Sequence, residues 1–171
     1  MNYHTATGHL DKFWDDGFKH LPYIRKPGFN QQEIDAWVAQ GYVSSNLKSF
    51  VGTMYDNSNP MPLWVYELDD KFELTNQTYT FYKMETLEIM PTHVDHFRTY
   101  CSLNNVTTDQ IYRVLVMLED WKPGHYLEMN GIGYVNWKAG DWFKWQGTTP
   151  HAAANIGIET RYTLQITGMR K

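Results

Sequence analysis

Apolar and polar positions follow two different rhythms along the chain. In the first part Ile34, Trp37 and Val38 recur at helical spacing. Asn30 and Glu33 are placed ahead of them like a helix-capping pair, and Gly41 supplies a stop. This predicts a helix with one apolar stripe to lay on something else. The stretch 48–62, with Gly52, Asn57, Ser58, Asn59 and two prolines, predicts a surface loop. After Asn76 the pattern shortens to β-rich runs at 79–90, 93–100, 111–118, 126–129, 134–137, 142–145 and 161–167. Pro123-Gly124 suits a type II turn, Asn130-Gly131 a tight hairpin, and Lys138-Ala139-Gly140-Asp141 a further reversal. The expectation is one mainly β domain over 1–171: a helical and irregular part, 1–75, packed on the outside of a β sandwich or barrel formed by 76–171.

Composition supports a folded core and removes some function classes. Of 171 residues, 42% are hydrophobic and 16% aromatic, far from the make-up of disordered chains. Fifteen Lys and Arg against nineteen Asp and Glu leave a net charge of −4 with no basic run, which disfavours a nucleic-acid partner. Cys101 is the single cysteine, so no internal disulfide forms and its expected role is packing. Met1–Leu10 lacks a basic then apolar leader, and no stretch is apolar enough to span a bilayer. A cytoplasmic protein without a membrane partner is expected.

Candidate chemistry gathers around a few polar residues. His93 and Asp95 are two apart, and on a strand such residues share a face and could grip one divalent cation. A third ligand is best supplied by His151, delivered by the turn before it. His125 sits in the Pro-Gly turn and reads as a solvated loop histidine. His96 points away from the His93/Asp95 face, and His20 also competes. Two imidazoles and one carboxylate on one side of a metal leave its other side open, an arrangement associated with iron(II) enzymes, although zinc or manganese accepts similar ligands. In the strand 161–167, Arg161, Thr163 and Gln165 share one face, while the apolar face is expected to pack under the N-terminal helices. Arg161 then points inward, where it needs an anion, either a bound carboxylate or an internal Asp or Glu.

The order His93-x-Asp95, His151, Arg161-x-Thr163 resembles that of the 2-oxoglutarate and iron(II) oxygenase superfamily, over roughly 79–169. The resemblance implies a double-stranded β-helix, a cupin-like jelly roll with the metal inside its mouth. It implies that His93, Asp95 and His151 hold Fe(II), and that Arg161 and Thr163 hold the C5 carboxylate of 2-oxoglutarate as co-substrate. The chain looks most like the small proline and aspartyl/asparaginyl hydroxylase-type branch, through Arg113 on the run 112–115. Arg113 is thereby a further cofactor-binding candidate, and a carboxylate is expected beside it. Leu115 departs from the branch, which often has histidine there. The implied activity is hydroxylation by dioxygen of an amino acid, a protein side chain or a small metabolite, with 2-oxoglutarate decarboxylated to succinate. Asp95 in the carboxylate position favours hydroxylation over halogenation. Arg98, Tyr100, Trp121 and Asn155 lie near the expected metal strands but read better as surface or core residues. Two other readings fit the same residues: a non-enzymatic β-barrel that binds a small acid, and a cupin-type metalloenzyme with another metal.

Overall fold

A computed structural model describes residues 4–27, 31–43 and 51–171. Its strands form two antiparallel sheets. The larger has the order β1 (Thr5–His9), β9 (Asp141–Gln146), β6 (Ile111–Met117), β11 (Arg161–Arg170), β4 (Leu74–Met84), β3 (Val51–Asp56), β2 (Ile24–Pro27). The smaller has the order β5 (Glu88–His93), β10 (His151–Asn155), β7 (His125–Met129), β8 (Ile132–Tyr134). From β4 onward the chain crosses repeatedly between the sheets. This is a double-stranded β-helix, the cupin-like jelly roll expected from the sequence.

Turn chemistry drives those crossings. His125 N–H bonds the Lys122 carbonyl at 3.0 Å across Pro123-Gly124, and Gly124 at φ +94° supplies the left-handed position of a type II turn. Asn130 and Gly131, at φ +51° and +78°, close the β7–β8 hairpin with both central residues left-handed. Asp141 N–H bonds the Lys138 carbonyl at 3.0 Å and completes the third reversal.

The apolar face of β11 lies where the pattern puts it, but its cover differs. Leu164 and Ile166 join Phe81, Val114 and Val116 in a cluster capped by Trp14, Phe18, Val65 and Leu68. These caps come from two 3-10 turns, Asp16–His20 and Leu63–Leu68, and from the segment just before the first, rather than from an α-helix. Fully burying Phe18 and Phe81 is worth roughly 3 kcal/mol each at most. A second cluster, Leu115, Met117, Leu127, Met129, Trp137, Phe143 and Trp145, fills the space between the sheets.

Several expectations need correction. The first 75 residues are not mainly helical, because they contribute β1, β2 and β3 to the large sheet. The stretch 48–62 contains β3, whose backbone pairs with both β2 and β4; those ladders outweigh its turn-rich composition, and only Asn57, Ser58 and Asn59 make the reversal. The run 79–90 divides at Glu85–Glu88, where the chain changes sheet. The run 134–137 is a strand only to Tyr134. The run 93–100 is not a strand: β5 ends at His93 and a short helix, α2 (Arg98–Asn104), follows. The N-terminal helix exists as α1 (Gln31–Ala39), with Ile34 and Trp37 buried. Asn30, its expected cap, lies outside the described residues. No helix among the described residues is long and apolar enough to cross a membrane.

Candidate active site

His93 and His151 face each other across the β5–β10 ladder, with ring centroids 4.3 Å apart. Each ring is oriented in the same way. His93 Nδ1 lies 2.8 Å from the Pro91 carbonyl and His151 Nδ1 lies 3.0 Å from the Thr149 carbonyl. A carbonyl only accepts, so Nδ1 carries the proton in both rings and Nε2 keeps a free lone pair. Burial pushes the His151 pKa down to about 4, which keeps that lone pair free at neutral pH.

Asp95 joins them by a route the sequence pattern does not give. The chain leaves the sheet after His93, and Phe97 takes a left-handed conformation at φ +49°. The Asp95 carboxylate reaches Arg113 on β6, with Nη1 to Oδ2 at 2.7 Å, and the same oxygen lies 3.5 Å from His151 Nε2. This is the carboxylate expected beside Arg113. The contact is an ion pair without hydrogen-bond alignment, and Oδ2 is buried with no aligned donor among the described residues. Burial pushes the Asp95 pKa up, but Arg113 and the neighbouring histidines outweigh it and hold the group below the usual carboxylate range. Donor atoms of His93, Asp95 and His151 lie within 4.8 Å of one another. Two imidazoles with bare Nε2 atoms and an ionised carboxylate with an unused oxygen fit a divalent transition-metal ion.

Behind this cluster a cavity of about 150 Å³ runs between the sheets, lined by Leu115, Leu127, Trp145 and Ala153 among its apolar walls. Arg161 and Thr163, from the inward face of β11, line it too. Arg161 is 7% exposed and donates from Nη1 to the Tyr126 carbonyl at 2.7 Å, while its Nε has no partner. Among the described residues no carboxylate forms an ion pair with it. Burial without a counter-charge lowers its pKa to about 10, so it still carries its proton at neutral pH.

The other candidates do not enter the site as ligands. His125 is not a solvated loop residue: it is 3% exposed, Nε2 contacts the Glu159 carbonyl at 2.9 Å, and the ring stacks on Trp137. Glu159 and Trp137 come from remote segments, which the local Pro-Gly reading cannot see. His96 and His20 are exposed. Arg98 is exposed on α2, and Tyr100 donates to the Asn76 carbonyl. Trp121 donates to the His125 carbonyl, and Asn155 to the carbonyls of Met84 and Glu159. These last three brace the barrel.

Three residues at the site, Tyr82, Trp145 and Trp37, escape the sequence reading. Tyr82, directly across from Thr163, lines the cavity and shares a hydrogen bond with Gln165, which lines it as well. Burial pushes the Tyr82 pKa up, so the phenol keeps its proton. Trp145 lies against His151 with ring centroids 4.9 Å apart. Trp37 of α1 meets His93 edge-on at 6.0 Å. The strand alternation through Tyr82 and Trp145 carried a signal for the inward face; Trp37 carried none beyond its helical stripe.

No protein-family model and no curated protein matches the sequence. Solved structures do share the fold. A prolyl-4-hydroxylase from Pseudomonas putida superposes with a TM-score of 0.52 at 16% identity, over 91% of this chain and 96% of that one. A predicted oxalate decarboxylase from Thermotoga maritima gives 0.45 at 11% identity, over 86% and 91% of the two chains. A cupin protein from Bacteroides fragilis gives 0.40 at 14% identity, over 60% and 73%. At 16% identity the likeness to the prolyl-4-hydroxylase is one of fold alone; the two sheets and the crossings between them make the chain a cupin-like double-stranded β-helix, with a His-Asp-His cluster able to hold a metal.

Proposed function

We propose that the chain is an iron(II)- and 2-oxoglutarate-dependent dioxygenase that hydroxylates an amino acid, a protein side chain or a small metabolite. The observation that carries the reading is Arg161: a charged, buried guanidinium facing the same cavity as the His-Asp-His cluster, with an unused Nε–H and no internal carboxylate among the described residues. A buried cation without a counter-ion is costly, and the fold tolerates it here because an anionic ligand supplies the missing charge.

In this reading Nε2 of His93, Nε2 of His151 and the Asp95 carboxylate hold the metal. Bound iron(II) supplies the redox chemistry, in which dioxygen and 2-oxoglutarate are consumed, succinate and carbon dioxide are released, and a C–H bond is oxidised. The protein's share is placement. The Pro91 and Thr149 carbonyls fix the imidazole tautomers. Arg161 receives the distal carboxylate of the keto acid through paired N–H donors, with the Thr163 hydroxyl beside it. Leu115, Leu127 and Trp145 keep water from the reacting end. A hydroxylase built on this fold is represented by the Pseudomonas putida prolyl-4-hydroxylase. A reducing, cytoplasmic setting suits both ferrous iron and the lone Cys101.

The test is an anaerobic titration of metal-free protein with Fe(II) and then 2-oxoglutarate, followed in the visible for the weak charge-transfer band of a chelated keto acid. The band is expected with both components and lost in His151→Ala. Iron verified as bound, with no band on adding the keto acid, overturns the proposal.

A further inference from the structure

Among the described residues, Arg161 is one of three buried donors in the cavity that lack a partner. The others are Arg113 Nε and Trp145 Nε1. These two belong together, because Arg113 and Trp145 are direct partners across the β6–β9 ladder and both line the cavity. Their backbones lie at a different level of the barrel from that of Arg161: Arg113 is level with Thr167 on β11, six residues along the strand from Arg161, roughly 20 Å of backbone at about 3.4 Å per residue. The Arg113 guanidinium is held between the Phe97 ring, 4.6 Å from its centroid, and Asp95. Trp145 is 2% exposed, and its buried indole N–H without a partner is a cost that an acceptor in the cavity would remove.

Charge points the same way. Lys83 at the cavity's edge is paired with Glu85 at 2.8 Å, leaving Asp95, Arg113 and Arg161 as the charges that matter. Asp95 and Arg113 offset one another. A divalent metal offsets a dianionic keto acid. One positive charge then remains in a space walled by apolar side chains, and a neutral substrate leaves it uncompensated. We propose that Arg113 and Trp145 form a second acceptor site at the metal end of the cavity, which binds a carboxylate of the substrate to be oxidised. The substrate class is thus a carboxylate-bearing small molecule rather than a neutral side chain within a protein. This rests on the dioxygenase reading, and it assigns Arg113 to the substrate instead of to 2-oxoglutarate.

The test uses the full chain loaded with Zn(II), which is diamagnetic, and 2-oxoglutarate. The arginine Nε–H and tryptophan indole N–H resonances are followed by ¹⁵N-edited NMR, with Trp145 identified by the signal lost in Trp145→Phe. Propionate is the probe and propionamide its neutral match. Propionate is expected to shift the Arg113 and Trp145 signals saturably, with propionamide leaving them in place. Trp145→Phe keeps the ring and removes one neutral donor, so propionate affinity should fall about threefold to tenfold while 2-oxoglutarate still binds. Arg113→Met should abolish propionate binding; if that variant sheds zinc because Asp95 is displaced, Trp145→Phe carries the test. Unmoved signals with propionate, equal shifts with propionamide, or saturation of both signals by 2-oxoglutarate alone each overturn the assignment. Failure of 2-oxoglutarate to move the Arg161 signal overturns the dioxygenase reading, and is read from a different arginine.

Discussion

Replacing Arg161 with methionine should move stability and ligand binding in opposite directions. Burial lowers the guanidinium's pKa to about 10, which corresponds to about 3 kcal/mol against the charged form in the folded protein. Its bond to the Tyr126 carbonyl returns roughly 1.5–3 kcal/mol of that. Arg161→Met removes both contributions and fills most of the same volume with apolar atoms. The metal-free variant should therefore unfold at equal or slightly higher urea concentration, by about 0–2 kcal/mol. Binding of 2-oxoglutarate to the Fe(II)-loaded protein should weaken by about 2–5 kcal/mol, or about thirtyfold to several thousandfold, since a buried carboxylate loses its charged partner. Urea denaturation of the metal-free protein and anaerobic calorimetry of the loaded protein read the two quantities separately. A variant that loses 3 kcal/mol or more of stability and still binds the keto acid normally would refute the reasoning, because Arg161 would then be a structural brace.

Other outcomes follow from the same geometry. Metal-free protein should be most stable above pH 6.5 and lose up to about 3 kcal/mol as the pH falls towards 4: the His151 pKa is lowered from 6.5 to about 4, so the unfolded chain binds the proton first. His125, also lowered by burial, adds to the loss in the same direction. Denaturation midpoints at several pH values should flatten in His151→Gln, and an unchanged slope counts against the buried neutral imidazole. His151→Ala should leave the barrel folded by far-ultraviolet circular dichroism while weakening Fe(II) affinity by at least about tenfold, measured by competition with a chromophoric chelator. Gly124→Ala should cost about 2–4 kcal/mol in urea, because φ is +94° and the added Cβ would lie 2.2 Å from the Gly157 backbone nitrogen. A loss under 1 kcal/mol would mean the turn relaxes easily.

What the sequence made legible is what strand alternation and turn chemistry specify locally. The three reversals at Pro123-Gly124, Asn130-Gly131 and Lys138–Asp141 follow from residues that accept their backbone angles, and Arg161, Thr163 and Gln165 share an inward face because a strand has a period of two. What failed depends on partners far along the chain. β3 is a strand because β2 and β4 flank it, not because Gly52 favours one. His125 is buried because Trp137 and the Glu159 carbonyl close over it. Trp145 could be placed on the inward face by counting, but only the assembled barrel leaves its N–H without a partner.

Asp95 shows how a residue can join the expected cluster by a route other than the expected strand spacing. Spacing two residues apart on one strand would put it on the same face as His93, yet the strand ends at His93 and the carboxylate is drawn instead to Arg113. The three side chains still converge because the stricter constraint lies elsewhere, in the pairing of β5 with β10. A one-residue shift in that ladder between His151 and Ala153 sets His93 opposite His151; the register of the Asn155 end, continued, would set Thr92 there instead. Asn155, at the far end of β10, ties that strand to the Met84 and Glu159 carbonyls, and the Leu87 N–H bonds its own carbonyl at 2.7 Å. That end of β10 is thus pinned, the shift beyond Ala153 brings the two histidines together, and the residues beyond His93 need only bring one carboxylate back to the position that the histidines and Arg113 define.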